Sequence, residues 1–162
     1  MAEHTKPKVD WELLALTDQY YTAVAIRDAL REGDVDGATE GLEELIDALS
    51  RSDERALESH LIRLMQHIIK WKVQPERRSP SWVATIREQR RQIQRLQSRY
   101  PRFTDRYIQD TLWDDCYAGG LNEAAAEMNR EHIEAVPLSW AEVFEIPYTL
   151  EPKPEDLSTG TV

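Results

Sequence analysis

Residues 61–90 read LIRLMQHIIKWKVQPERRSPSWVATIREQR, and this stretch decides the fold. Leu61, Leu64, Ile68 and Trp71 recur at three- and four-residue steps, the period of a helix with one apolar face. Pro75 then ends that helix, because the residue before a proline is pushed out of the helical region. Ser79-Pro80 starts another: the serine hydroxyl can cap the free amides of a first turn, and proline at the first helical position lacks a hydrogen that would go unpaired anyway. Trp82, Ile86, Gln89, Ile93, Leu96 and Tyr100 continue the helical period until Pro101. Two helices and a tight loop make a helical hairpin.

Working upstream, Leu57 extends the first arm of the hairpin, with Ser52 or Asp53 as its expected cap and Gln74 as its end. Asp36 is the expected cap of an acidic helix whose buried stripe would be Leu42, Leu45, Ile46 and Leu49, with Glu40, Glu43, Glu44 and Asp47 turned outward. Before it, Trp11 to Arg31 has the pattern of one amphipathic helix built on Leu13, Leu16, Tyr20 and Val24, with Ile26 and Leu30 continuing it and Gly33 stopping it. Downstream, a fifth helix is expected over Thr104 to Met128, kinked or split at Gly119-Gly120, since each glycine costs about 1 kcal/mol in a helix interior. Pro137, Pro147, Pro152 and Pro154 leave room only for a short helical turn around Ser139 to Phe144. The expectation is an all-α helical bundle of about five helices around a central hairpin, a single domain over residues 1–150 with one core, and a tail over 151–162.

Composition bounds the function. An apolar share of 41% and a charged share of 31% suit a folded, water-facing chain, and no apolar run approaches the roughly 20 residues of a membrane span. With no leader-like apolar segment behind the first charges, a cytoplasmic location and no membrane partner are expected. Cys116 is the single cysteine, which excludes an internal disulfide and suits a small buried hydrophobe. His60 and His67 are seven residues apart, about 10.5 Å along a helix axis, too far to share an ion, so neither metal nor cofactor is expected. Adjacent acids at Glu43-Glu44 and Asp114-Asp115 point to different sides of a helix and read as solvated faces.

Charge is segregated. The formal net charge is −10, yet Lys70 to Arg106 holds eleven basic residues against three acids, a balance of +8 that leaves −18 elsewhere. Either acidic and basic helices pair within the chain, or the basic segment meets an anionic partner. Three readings of the hairpin follow. In the first, His67, Gln74, Thr85 and Gln89 bond one another and fix its register. In the second, Arg77, Arg78, Ser79, Ser81 and the free amides of the new helix hold an anion between Trp71 and Trp82, the ligand being an acidic protein segment, a nucleic acid or a small anion. In the third, His67 is an acid or base, and Lys70, Arg77 or Arg78 stabilises developing negative charge in nuclease-like, phosphoryl or nucleotidyl transfer. A purely structural module and a homodimer also remain open.

The run from His67 to Arg90, with its polar and aromatic residues at fixed spacing across a loop, resembles the signature segment of a bacterial family catalogued as domain of unknown function twenty-nine. The acidic helix upstream and the Leu16, Asp18, Tyr20 region extend the resemblance over most of the chain, with Val24 standing where the pattern suggests a tryptophan. The resemblance implies an all-helical protein and concentrates the pattern on His67, Lys70, Trp71, Gln74, Pro75, Arg77, Ser81, Trp82, Thr85 and Gln89. It implies no activity.

Overall fold

The structure, a computed structural model, describes residues 7–151. Residues 152–162 of the expected tail lie outside the described residues. The elements are α1 (Trp11–Thr17), α2 (Gln19–Arg31), α3 (Val35–Val73), a 3₁₀ turn (Pro75–Arg77), α4 (Pro80–Arg99), α5 (Asp105–Tyr107), a π-helical segment (Ile108–Leu112), α6 (Trp113–Glu127) and α7 (Trp140–Phe144). Among the described residues there is no strand, so the all-helical class stands. None of these helices is long and apolar enough to cross a membrane. The chain divides into two compact units, Met1–Ala56 and Leu57–Val162, and α3 contributes residues to both.

In the N-terminal unit two aspartates set the architecture. The Asp10 carboxylate accepts from the Leu13 amide at 3.1 Å and starts α1, and Asp18 accepts from the Tyr21 amide at 2.9 Å and starts α2. The one helix expected over Trp11 to Arg31 is therefore two, because Asp18 takes extended backbone angles and caps rather than continues. The break shifts the apolar phase. Leu13, Leu16 and Tyr20, expected to be buried, are 62%, 58% and 81% exposed, while Trp11, Ala15, Thr22 and Ile26 turn inward.

Gly33 stops α2 in the left-handed region, φ +81°. The next cap is Asp34 rather than Asp36: its carboxylate accepts from the Gly37 amide at 2.9 Å. On α3 the buried residues of this unit are Ala38, Ala48 and the half-buried Leu45, whereas Leu42, Ile46 and Leu49 are exposed, again against expectation. The reason is Trp11. A Cβ on Gly41 would come within 2.6 Å of its ring, so α3 must offer the indole a surface of small residues, and the larger side chains rotate to the flank.

The acidic helix and the first arm of the hairpin, expected as two, are one. Ser52 and Asp53 lie inside α3, because neither glycine nor proline interrupts 42–74 and a serine or aspartate costs a helix interior only about half a kcal/mol.

The C-terminal unit has the larger core. Leu57, Leu61, Leu64, Ile68 and Trp71 of α3 meet Ile86 and Ile93 of α4 as the periodicity predicts, and Val83, which the pattern did not single out, joins Phe103, Ile108, Leu112, Cys116, Val143 and Tyr148 in completing the cluster. Each such side chain contributes about 1.5–3 kcal/mol when fully buried. Burial also pushes the Cys116 thiol up to about 12, the behaviour of an inert core residue. Gly119-Gly120 neither kinks nor splits α6; a Cβ on Gly120 would lie 3.1 Å from the Gln66 amide nitrogen and 3.2 Å from the Ile62 carbonyl oxygen, so the glycine permits close approach to α3. The irregularity sits earlier, in the π segment.

Candidate functional site at the α3–α4 hairpin

The hairpin forms as read from Pro75 and Ser79-Pro80. Ser79 takes extended backbone angles, and its hydroxyl accepts from the Trp82 amide at 3.3 Å with Pro80 at the first helical position. Two contacts fix the antiparallel register: His60 with Gln89, and Lys70 with Trp82.

Lys70 is almost fully buried. Its ammonium pairs with the Glu127 carboxylate of α6 and sits 4.4 Å from the centre of the Trp82 ring. These two contacts replace the water that the buried ammonium gives up. Trp71, expected to flank an open surface, is instead part of the core, edge-on to Tyr148 at 5.4 Å. Arg78 lies across it: Nε donates to the Trp71 carbonyl at 2.9 Å, and the guanidinium stands 4.6 Å from the ring centre.

His67 is buried and its Nδ1–H donates to the Arg63 carbonyl at 2.9 Å, one turn back in the same helix. Loss of solvent, reinforced by the nearby Lys70 charge, holds its pKa below the usual histidine value despite that hydrogen bond, so the ring is neutral at pH 7 with Nε2 as its free lone pair. The expected network of His67, Gln74, Thr85 and Gln89 does not form. Gln89 is bonded instead by His60, whose Nδ1–H donates to Oε1 at 2.6 Å. Thr85 is half-buried, and Gln74 lines a hollow of about 540 Å³ with Glu76, Met128, Arg130 and His132.

The expected anion cradle is also dispersed. The Ser79 and Ser81 hydroxyls bond each other at 3.2 Å and Arg78, though exposed, is held against Trp71, whereas Arg77 is exposed and makes no side-chain hydrogen bond or ion pair among the described residues.

Several residues that sequence reading passed over tie the hairpin to the segment after α6. Lys72 Nζ donates to the Pro137 carbonyl at 2.9 Å and to Glu142 at 2.6 Å. Arg90 donates to the Val143 and Glu142 carbonyls at 2.7 and 3.1 Å. Tyr148 donates to the Glu142 carbonyl at 2.7 Å, and burial pushes its phenol above the ordinary tyrosine value. Tyr117 O–H donates to the Val136 carbonyl and its oxygen accepts from the Val136 amide, both at 3.0 Å. Hydrogen bonds from Lys72 and from the Ser139 cap hold the Glu142 carboxyl below its usual range. One signal was available: Ser139 and Glu142 have the spacing of a reciprocal capping box, and they form one.

With this geometry in place, comparison with known families is direct: the pattern described as "Domain of unknown function DUF29" matches residues 17–150. The chain belongs to the DUF29 family. The match takes in α2 through α7, and so the whole hairpin together with the strap that Lys72 and Arg90 hold. Neither a curated protein nor a solved structure shows significant similarity to it. Among the described residues no three His, Cys, Asp or Glu side chains converge as metal ligands would.

Proposed function

We propose that this DUF29 protein is a cytoplasmic helical interaction module whose basic hairpin receives an acidic segment of a partner protein. One observation carries the reading. On α4, Arg87, Arg91, Arg95 and Arg99 recur every fourth residue and are exposed, a row advancing about 6 Å per step along the axis. The other cations of the signature are committed inside the fold, Lys70 to Glu127, Lys72 to Glu142 and Arg78 to Trp71. Arg77, Arg87 and Arg95 form neither an ion pair nor a side-chain hydrogen bond among the described residues, and Arg91 pairs only with Glu88 of its own helix. Such a row meets the carboxylates of an acidic helix at matching one-turn spacing. A net charge of −10 weighs against nucleic acid as the partner. The catalytic alternative has less behind it, since His67 is buried and two of its intended cations are spoken for.

The test is fluorescence anisotropy of a labelled glutamate-rich helical peptide, in rising salt, against wild type and the Arg87→Gln/Arg91→Gln/Arg95→Gln triple variant. Three exposed ion pairs at about 0.2–1 kcal/mol each predict a roughly tenfold weaker complex and a shallower salt dependence in the variant. Absence of binding by wild type removes the proposal. Tighter binding of an oligonucleotide of equal charge would replace the acidic peptide with nucleic acid.

A further inference from the structure

The N-terminal unit contains a hollow of about 550 Å³ between α2 and the start of α3. Trp11, Val24 and Ala25 form an apolar part of its wall, and Ala29 adds another small side chain. Carboxylates surround it in two pairs, Asp28 on α2 with Glu32 just past its end, and Asp36 and Glu40 on α3, each pair four residues apart. Lys8 is the one cation among the lining residues. Asp28 is engaged by Arg27, and Asp34 on the same rim caps α3. Asp36 and Glu40 have no ion pair among the described residues.

We propose that this groove docks a cationic amphipathic helix of a partner protein, one that seats a large apolar side chain on the wall of small residues and sets Lys or Arg on both of its flanks. The inference is independent of the arginine face of α4. Its argument is charge complementarity joined to shape. Residues 1–56 carry fourteen acids against six bases, a net −8. Acids at one-turn spacing on both walls match cations at the same spacing on an entering helix, and the small side chains of Ala25 and Ala29 leave the volume an apolar anchor needs. A second copy is a poor occupant, because it would bring another −8 unit against the first. The chain's own cationic helix fits no better, since α4 spends Val83, Ile86 and Ile93 on the core of the C-terminal unit and offers arginines without an anchor.

The experiment uses the full chain and three labelled peptides: an amphipathic lysine–leucine helix, its glutamate–leucine counterpart, and an all-lysine peptide. Wild type is expected to bind the first and not the third, more weakly as salt rises. Any binding of the glutamate–leucine helix belongs to the arginine face of α4 and should be untouched by changes in this groove. Two variants are read separately, Asp36→Asn/Glu40→Gln at the rim and Val24→Lys at the wall, with circular dichroism as the check on folding. Each should weaken the lysine–leucine complex roughly tenfold or more. If the rim variant loses helix, Val24→Lys still decides. Equal binding of the all-lysine peptide, full competition by spermidine, or affinity unchanged by both variants overturns the proposal. So does sedimentation showing a dimer that Val24→Lys dissolves, which would make a second copy the occupant.

Discussion

The two units bury different things. In the N-terminal unit one indole rests on glycine and alanine, and leucines, tyrosines and an isoleucine remain outside. In the C-terminal unit leucines, isoleucines and aromatics from four stretches of chain interlock, and the charged groups at their border are tied to carboxylates and carbonyls. A segment of similar apolar content can thus yield a thick core or a thin one. What differs is how many elements converge on each apolar stripe, and helix stability comes mainly from such packing rather than from propensity.

The widest gap between the units should appear on truncation of Leu64, which has no solvent exposure. Leu64→Ala is expected to cost about 2–5 kcal/mol in urea unfolding. Gly120→Val should follow at about 1–3 kcal/mol, since the added carbons meet the α3 backbone. Gly41→Val meets a movable side chain, the Trp11 ring, and should cost less than Gly120→Val; an equal or larger loss would mean that the thin core is as rigid as the thick one. Ile46→Gln, at a position 55% exposed, should stay within about 0.5 kcal/mol, and a larger loss would show that this flank is covered in solution.

Histidine sharpens the comparison by pH. The His67 pKa is lowered in the folded state, so between that lowered value and about 6.5 the unfolded chain binds the extra proton. Stability is therefore full above 6.5 and falls as pH drops through that window. Thermal melts of wild type from pH 7.5 to 5.5 should show the decline, and His67→Gln should flatten it.

The hairpin was legible in the sequence because its signals are local: a proline that ends one helix, a Ser-Pro that starts the next, and an apolar period between them. The core positions Leu57 to Trp71 and Ile86 to Ile93 followed from the same period. The N-terminal unit was less legible for a specific reason. Asp18 sits in an apolar pattern that looks continuous, yet its carboxylate caps a new helix, so that Tyr20 and Leu30 lie exposed while Ile26 keeps its expected buried place. Ser52 and Asp53 misled in the opposite direction, as residues that suit a cap and are also tolerated mid-helix.

The candidate site divides the same way. Arg78 and Lys70 were recognisable as cations near tryptophans, but their partners are the Trp71 carbonyl, seven residues back across the loop, and Glu127, 57 residues further along the chain. His60 for Gln89 is a pairing set by the offset between two helices, which no spacing within either helix reveals. Trp71 satisfied both the core period and the picture of an aromatic flank, and packing density decided for the core.

Lys70 and Lys72, two residues apart, give the molecule a built-in chemical clock. The Lys72 side chain is about a third exposed, whereas the Lys70 side chain is almost fully buried and its amine lies against Trp82 and Glu127. An acylating reagent should mark the first while the chain is folded and reach the second only when the C-terminal unit opens. The ratio of the two adducts on a single peptide then measures how often that opening occurs.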